Sequence, residues 1–151
     1  MPARHWSRRT PWDTNAVLWG GYAIAGAGAQ AYFAGDTGYG DGTLFREIGR
    51  RYGGFDLAMI PVGCYEPRWF MAYQHVDPGE AVRIHADVGA RYSMGMHWGA
   101  FRMCDEPVDA PLDDLPAARD KAGLPRDDFE LWAVGERRRL VPGKGFVRER
   151  D

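Results

Sequence analysis

The sequence predicts an α/β layer structure. Three observations predict it: two apolar runs joined by a glycine turn, alternating helical and strand-like periods after them, and glycine or Asp-Pro signals where one period gives way to the next. Residues 1 to 13 are rich in Arg, Pro and Trp, lack a period, and read as a loop that carries His5. Asn15 to Ile24 reads as a strand, and Gly26 to Gly28 turns it back as a hairpin into the run Ala31 to Ala34. That run ends in Asp36, with Gly35 and Gly38 letting the backbone turn or approach something closely on either side.

Leu44, Phe45, Ile48 and Tyr52 then recur at helical spacing, and Gly53-Gly54 stops the helix. Phe55 to Val62 is an almost continuous apolar run, which predicts a strand covered on both faces by other layers. It leads into Gly63 to Phe70, a dense loop of aromatic and charged groups. Asp77, Pro78 and Glu80 spell a helix start as N-cap, first and third helical residues. His75 is thereby held just outside a helix N-terminus. Ala81, Ile84 and Val88 form that helix's buried stripe, and Arg91 to Met96 is a strand ending at His97. A short helix follows over Leu112 to Ala122, stopped by Gly123, and Phe129 to Val134 is a last strand before an Arg-rich end.

The composition bounds the function. With 151 residues, 45% apolar and 13% aromatic, the chain has material for one core and is too hydrophobic to be disordered. A net charge of −2 provides no field for nucleic acid or anionic lipid. The basic run Arg137-Arg138-Arg139 and the residues from Lys144 to Arg150 read as a solvated edge. Cys64 and Cys104 form no C-x-x-C pair, which argues against a disulfide framework and for a reducing, cytoplasmic setting. No signal peptide or membrane-spanning stretch is expected, since the most apolar segment, Gly20 to Gly35, is broken by glycines and Gln30.

In layered α/β sheets, functional groups gather where strands end. Asp36 follows one predicted strand, Tyr65 to Trp69 another, and His97 a third. A carboxylate at a sheet mouth is costly unless hydrogen-bonded, ion-paired or bound to metal. The metal reading takes His5, Asp36 and His97 as partner ligands. Each also has a plainer reading: Asp36 as a turn-capping carboxylate, His97 as a satisfied core histidine, His5 as an exposed terminal residue. His85 reads as structural, and Trp69, Phe70 and Trp98 as either an acyl-chain pocket or core.

Several separated motifs carry a family resemblance: Phe33-Ala34-Gly35-Asp36-Thr37-Gly38-Tyr39, Ile60 to Met71, Tyr73-Gln74-His75-Val76-Asp77-Pro78 and His97-Trp98-Gly99. In order and content, over about residues 4 to 140, they resemble the C-terminal half of metallo-β-lactamase-fold hydrolases. Within these they are most similar to the N-acylphosphatidylethanolamine-hydrolysing phospholipase D group and its bacterial relatives. The resemblance implies half of an αββα sandwich, a mixed sheet with helices on one face, and a family site in which two zinc ions activate water against a phosphodiester. It implies that His5 binds one zinc, Asp36 bridges both and His97 binds the other. It further makes Asp36 and His75 catalytic residues and places Tyr65, Glu66 and Arg68 in a loop that meets substrate.

The departure is equally definite. The family's remaining ligands lie in an H-x-H-x-D-H motif, and the four histidines here, His5, His75, His85 and His97, cannot form one. Three ligands shared between two ions fall short of the three or more that a catalytic zinc ordinarily takes. The expectation is a truncated, split or degenerate chain over residues 1–151, inactive alone. It would either belong to a phosphodiesterase acting on phospholipid-like substrates, with peripheral membrane contact, or be a non-catalytic module that self-associates or binds a complementary half.

Overall fold

The computed structural model describes residues 11–12, 20–26, 28–141 and 145–148. His5 and the predicted strand residues 15–19 lie outside them. β1 (Tyr22–Gly26) and β2 (Ala29–Phe33) form the expected antiparallel hairpin, with Gly26 opposite Ala29. From β2 onward each strand lies parallel to the next: β3 (Phe55–Pro61), β4 (Ala90–Met96) and β5 (Phe129–Leu131), in the spatial order β1-β2-β3-β4-β5. Helices α1 (Thr43–Tyr52), α3 (Pro78–Asp87) and α4 (Pro111–Ala122) make the crossovers. With strands in chain order, right-handed crossovers put every helix on one face. This is the mixed sheet with a single helical layer that the sequence predicts.

Local signals account for the element ends. Gly53 and Gly123 close α1 and α4 with left-handed C-caps, φ 72° and 66°. At the start of α3 the Asp77 side chain accepts from Glu80 N while the Glu80 side chain accepts from Asp77 N, a complete capping box. β5 stops at Leu131, short of the predicted Val134, because Gly135 takes φ 85° and Glu136 N donates to Ala133 O, folding the chain into a turn. A short helix, α2 (Arg68–Met71), occupies part of the region read as loop.

Strand alternation divides the sheet into two unlike faces. Tyr32, Ala58, Ser93 and Phe129 stand in register across four strands and are fully buried beneath Phe45, Ile84 and Leu115 of the three helices. The intervening residues Ala31, Phe33, Leu57, Met59, Tyr92 and Met94 point the other way and are only half-buried. Coverage of β3 on both faces, expected from its apolar run, is therefore met on the helical side alone.

Two further expectations are corrected. The Arg-rich end is not simply a solvated edge: β6 (Arg138–Val141) and β7 (Gly145–Arg148) pair as a hairpin whose Phe146 packs on Tyr92 and Trp132. Arg138 is largely buried, bonded to Glu130 and Glu136 and stacked over Trp132. Cys64 and Cys104 are joined by a disulfide, with Cα atoms 5.2 Å apart. They are 40 residues apart in sequence, but one follows β3 and the other follows β4, and those strands are neighbours. Cysteine usage therefore carries no argument for a reducing compartment.

Candidate metal centre

The C-terminal ends of parallel strands bring the candidate residues together. Ala34 N donates to Met59 O, extending the β2 ladder one residue. The chain then leaves the sheet at Gly35 (φ 67°), which puts Asp36 at its mouth. Val62 N donates to Met96 O and so draws Gly63 alongside His97. Two glycines make these approaches possible. A Cβ on Gly38 would lie 2.3 Å from Tyr73 O, and one on Gly63 would lie 2.3 Å from His97 O.

Asp36 Oδ1 and His97 Nε2 end 3.5 Å apart. Both side chains keep access to solvent. His97 Nδ1 lies 3.4 Å from Gly63 O, a long contact that favours the tautomer carrying its proton on Nδ1 and leaves the Nε2 lone pair facing Asp36. His75 lies against the same imidazole, its ring stacked on that of His97 at 5.3 Å and 25°. His97 and Cys64 hold positive φ (60° and 64°), and among the described residues they are the non-glycine positions that do. Such backbone costs of order ~1–3 kcal/mol per residue and collects at functional sites.

Carboxylate oxygen and imidazole nitrogen are zinc donors with bonds near ~2.1 Å, and two such donors on a tetrahedral ion stand about 3.4 Å apart. The separation of Asp36 and His97 matches that edge. Among the described residues no group of three or more potential ligands is assembled, so the pair fits one edge of a centre and does not complete it. His5 lies outside the described residues.

Tyr65, Glu66 and Arg68 are close to the site but engaged by the protein itself. The Tyr65 hydroxyl is bonded to Asp114, and burial, then that carboxylate, push its pKa well above the ordinary range. Glu66 Oε2 accepts from Arg68 N. The Arg68 guanidinium donates to Tyr65 O (3.2 Å), His75 O (3.0 Å) and Glu80 Oε2 (2.7 Å), and lies 3.5 Å from Asp77 Oδ2. It clamps the His75 backbone to the α3 capping box. Glu106 also went unread in the sequence. It accepts from Tyr65 N and Glu66 N across about forty residues of chain, and no local pattern announces it.

A cavity of 240 Å³ opens beside His97, walled by Trp98, Phe101, Met103, Pro107, Val108 and the disulfide. Trp98 thus lines a pocket. Trp69 and Phe70 are neither core nor among its walls; they are exposed by 86% and 53%.

The pattern of the beta-lactamase superfamily domain matches residues 1–98. The chain belongs to the beta-lactamase superfamily. It is 43% identical over 146 residues to N-acyl-phosphatidylethanolamine-hydrolyzing phospholipase D 1 of Caenorhabditis elegans, covering 91% of this chain and 40% of that protein. It is 39% identical over 125 residues to the mitochondrial enzyme of the same name from Saccharomyces cerevisiae, covering 82% of this chain and 26% of that one. Among solved structures, a metallo hydrolase from the archaeon Ignicoccus hospitalis superposes with a TM-score of 0.57 at 22% identity, over 87% of this chain and 47% of that one. That likeness establishes the fold. The chain spans two fifths or less of the length of these curated relatives. Among the described residues, no helix is long and apolar enough to cross a membrane.

Proposed function

We propose that the protein is part of a zinc-dependent phosphodiesterase of phospholipase D type, in which Asp36 and His97 hold metal, His5 adds a further ligand, and His75 serves the leaving group. The observation that carries this reading is the 3.5 Å approach of Asp36 Oδ1 to His97 Nε2 past the ends of β2 and β4, which flank β3, with His75 stacked alongside. The names of the relatives support a phosphodiester substrate with a lipid portion. Zinc, when bound, supplies a Lewis acid for the charge that grows on phosphoryl oxygens and lowers the pKa of water toward ~7.

The protein's own residues then have distinct tasks. The Asp36 carboxylate accepts a hydrogen bond from the attacking water and orients it. His97 keeps its Nδ1 proton toward Gly63 O and offers Nε2 to the ion. His75 delivers a proton to the departing alcohol oxygen. Arg68, with its donors committed to Tyr65 O, His75 O and Glu80, positions His75, and Glu106 pins the Tyr65-Glu66 backbone beside it.

The two donors among the described residues leave an ion under-coordinated. Residues 1–151 as one portion of the catalytic domain would therefore be silent alone, and would require the H-x-H-x-D-H segment from outside this sequence. Zinc titration of the purified chain, with bis-p-nitrophenyl phosphate as substrate, tests this. Weak zinc binding that Asp36→Asn and His97→Ala abolish, with hydrolysis appearing only when the missing segment is supplied, is the expected result. Zinc binding indifferent to both substitutions would overturn it.

A second reading is favoured by the half-buried apolar sheet face: a non-catalytic module that binds a complementary half or a second copy. Phe33, Leu57, Met59 and Met94 provide its contact surface. Light scattering that shows a monomer at all concentrations would remove the second-copy form of this reading, and failure to bind the supplied segment would remove the other.

A further inference from the structure

The Cys64–Cys104 disulfide lies away from the packed core. The sixteen-member core lies on the helical side of the sheet and includes neither cysteine. Cys64 and Cys104 are both half-buried, so a small thiol can reach them. What the bond does hold is the segment that walls the cavity beside His97. Residues 98–104 make no backbone hydrogen bond among the described residues, and pairing resumes only at Asp105 N, which donates to Glu66 O. Phe101 and Met103 are exposed by 80% and 76%, and a Cβ on Gly99 would meet nothing within 4 Å. Between Trp98, whose side chain packs against the core, and Asp105, tied to Glu66, the sulfur bridge anchors this wall.

We propose that Cys64–Cys104 is a thiol-exchange site whose reduction loosens residues 99–104 and opens the cavity beside His97. The co-reactant class is a small thiol of the glutathione kind or a dithiol. A thiolate attacks one sulfur, giving a mixed disulfide and one free cysteine; a second reagent thiolate then attacks the reagent sulfur of that mixed disulfide, forming the reagent disulfide and expelling the second cysteine thiolate. Two reagent thiols become one reagent disulfide, and two electrons and two protons pass to the cysteine pair. The Glu106 carboxylate, still bonded to Tyr65 N and Glu66 N, keeps the far end of the segment in place, so reduction loosens the wall without detaching it. This goes beyond the metal reading and does not rest on it, since neither readout below requires turnover.

The purified protein is equilibrated with oxidised glutathione and, separately, with excess dithiothreitol. Each state is alkylated for mass measurement and followed by limited digestion with chymotrypsin, which reads cleavage after Phe101. The expected result is no alkylation in the first state and two added groups in the second, with cleavage after Phe101 faster by about tenfold on reduction and no new cleavage within β3 or α3. Cys104→Ser should be cleaved at the reduced rate with or without dithiothreitol. If that variant fails to fold, wild-type protein reduced and then capped with iodoacetamide makes the same comparison. Two alkylatable thiols persisting in oxidised glutathione, or identical cleavage after Phe101 in both states, would overturn the proposal.

Discussion

On the helical side of the sheet, Tyr32, Ala58, Ile60 and Phe129 are fully buried, whereas on the opposite side Phe33, Leu57, Met59 and Met94 remain half-buried although they are equally apolar. The β6–β7 hairpin reaches this second face at one place, where Phe146 meets Tyr92. The contrast shows that an unbroken apolar strand records the environment for which both its faces are suited, while the helices present cover one of them. The uncovered face has the chemistry of a layer interface, and Asp36 and His97 lie past the strand ends, outside the helical core.

Adjacent residues of β3 give the strongest test of the contrast. Ile60→Ala should destabilise the protein by about 2–5 kcal/mol, as expected for a sealed core position, whereas Met59→Ala should cost no more than about 1 kcal/mol. Urea unfolding of the two variants decides it; equal losses would mean that the two faces are equally well packed. A smaller effect is expected where the covering layer is tied down. Asp77→Ala removes the carboxylate that accepts from Glu80 N at the start of α3, leaving the backbone half of the capping box, and should cost about 1 kcal/mol in the same assay.

Smaller again is a pH effect confined to the covered face. His85 is buried there against Phe129, with Nδ1 2.8 Å from Ser93 Oγ. Burial lowers its pKa below the usual ~6.5, with Asp128 opposing. The unfolded chain therefore takes up the proton first as pH falls, so this contribution is complete above about 6.5 and is lost toward the depressed folded value. Unfolding free energies measured from pH 8 to 5 should fall more steeply for wild type than for His85→Gln. Parallel profiles would show that His85 does not titrate in that range.

How much of this was legible in the sequence follows from the range of each signal. The α3 capping box, the glycine stops of α1 and α4 and the β1–β2 turn are written within a few residues, and each appears where expected. Asp36 and His97 could each be placed at a strand end because each closes an apolar run of strand length, and across β3 they lie 3.5 Å apart. The Cys64–Cys104 bond, the Tyr65–Asp114 contact and the grip of Glu106 on the Tyr65-Glu66 backbone depend on which strands become neighbours, a fact that no short window contains. The partners of Arg68 have the same origin: Tyr65 O, His75 O and Glu80 converge on it only once α3 has docked.

The strand order has a consequence for how the chain is made. Because β2, β3, β4 and β5 are spatial neighbours in the order of synthesis, each strand-helix-strand unit can close on the one before it as it leaves the ribosome, without waiting for distant residues. Growth of the sheet is then vectorial, and the rim bearing Asp36 and His97 is in place once β4 has paired, before α4 and the terminal hairpin arrive.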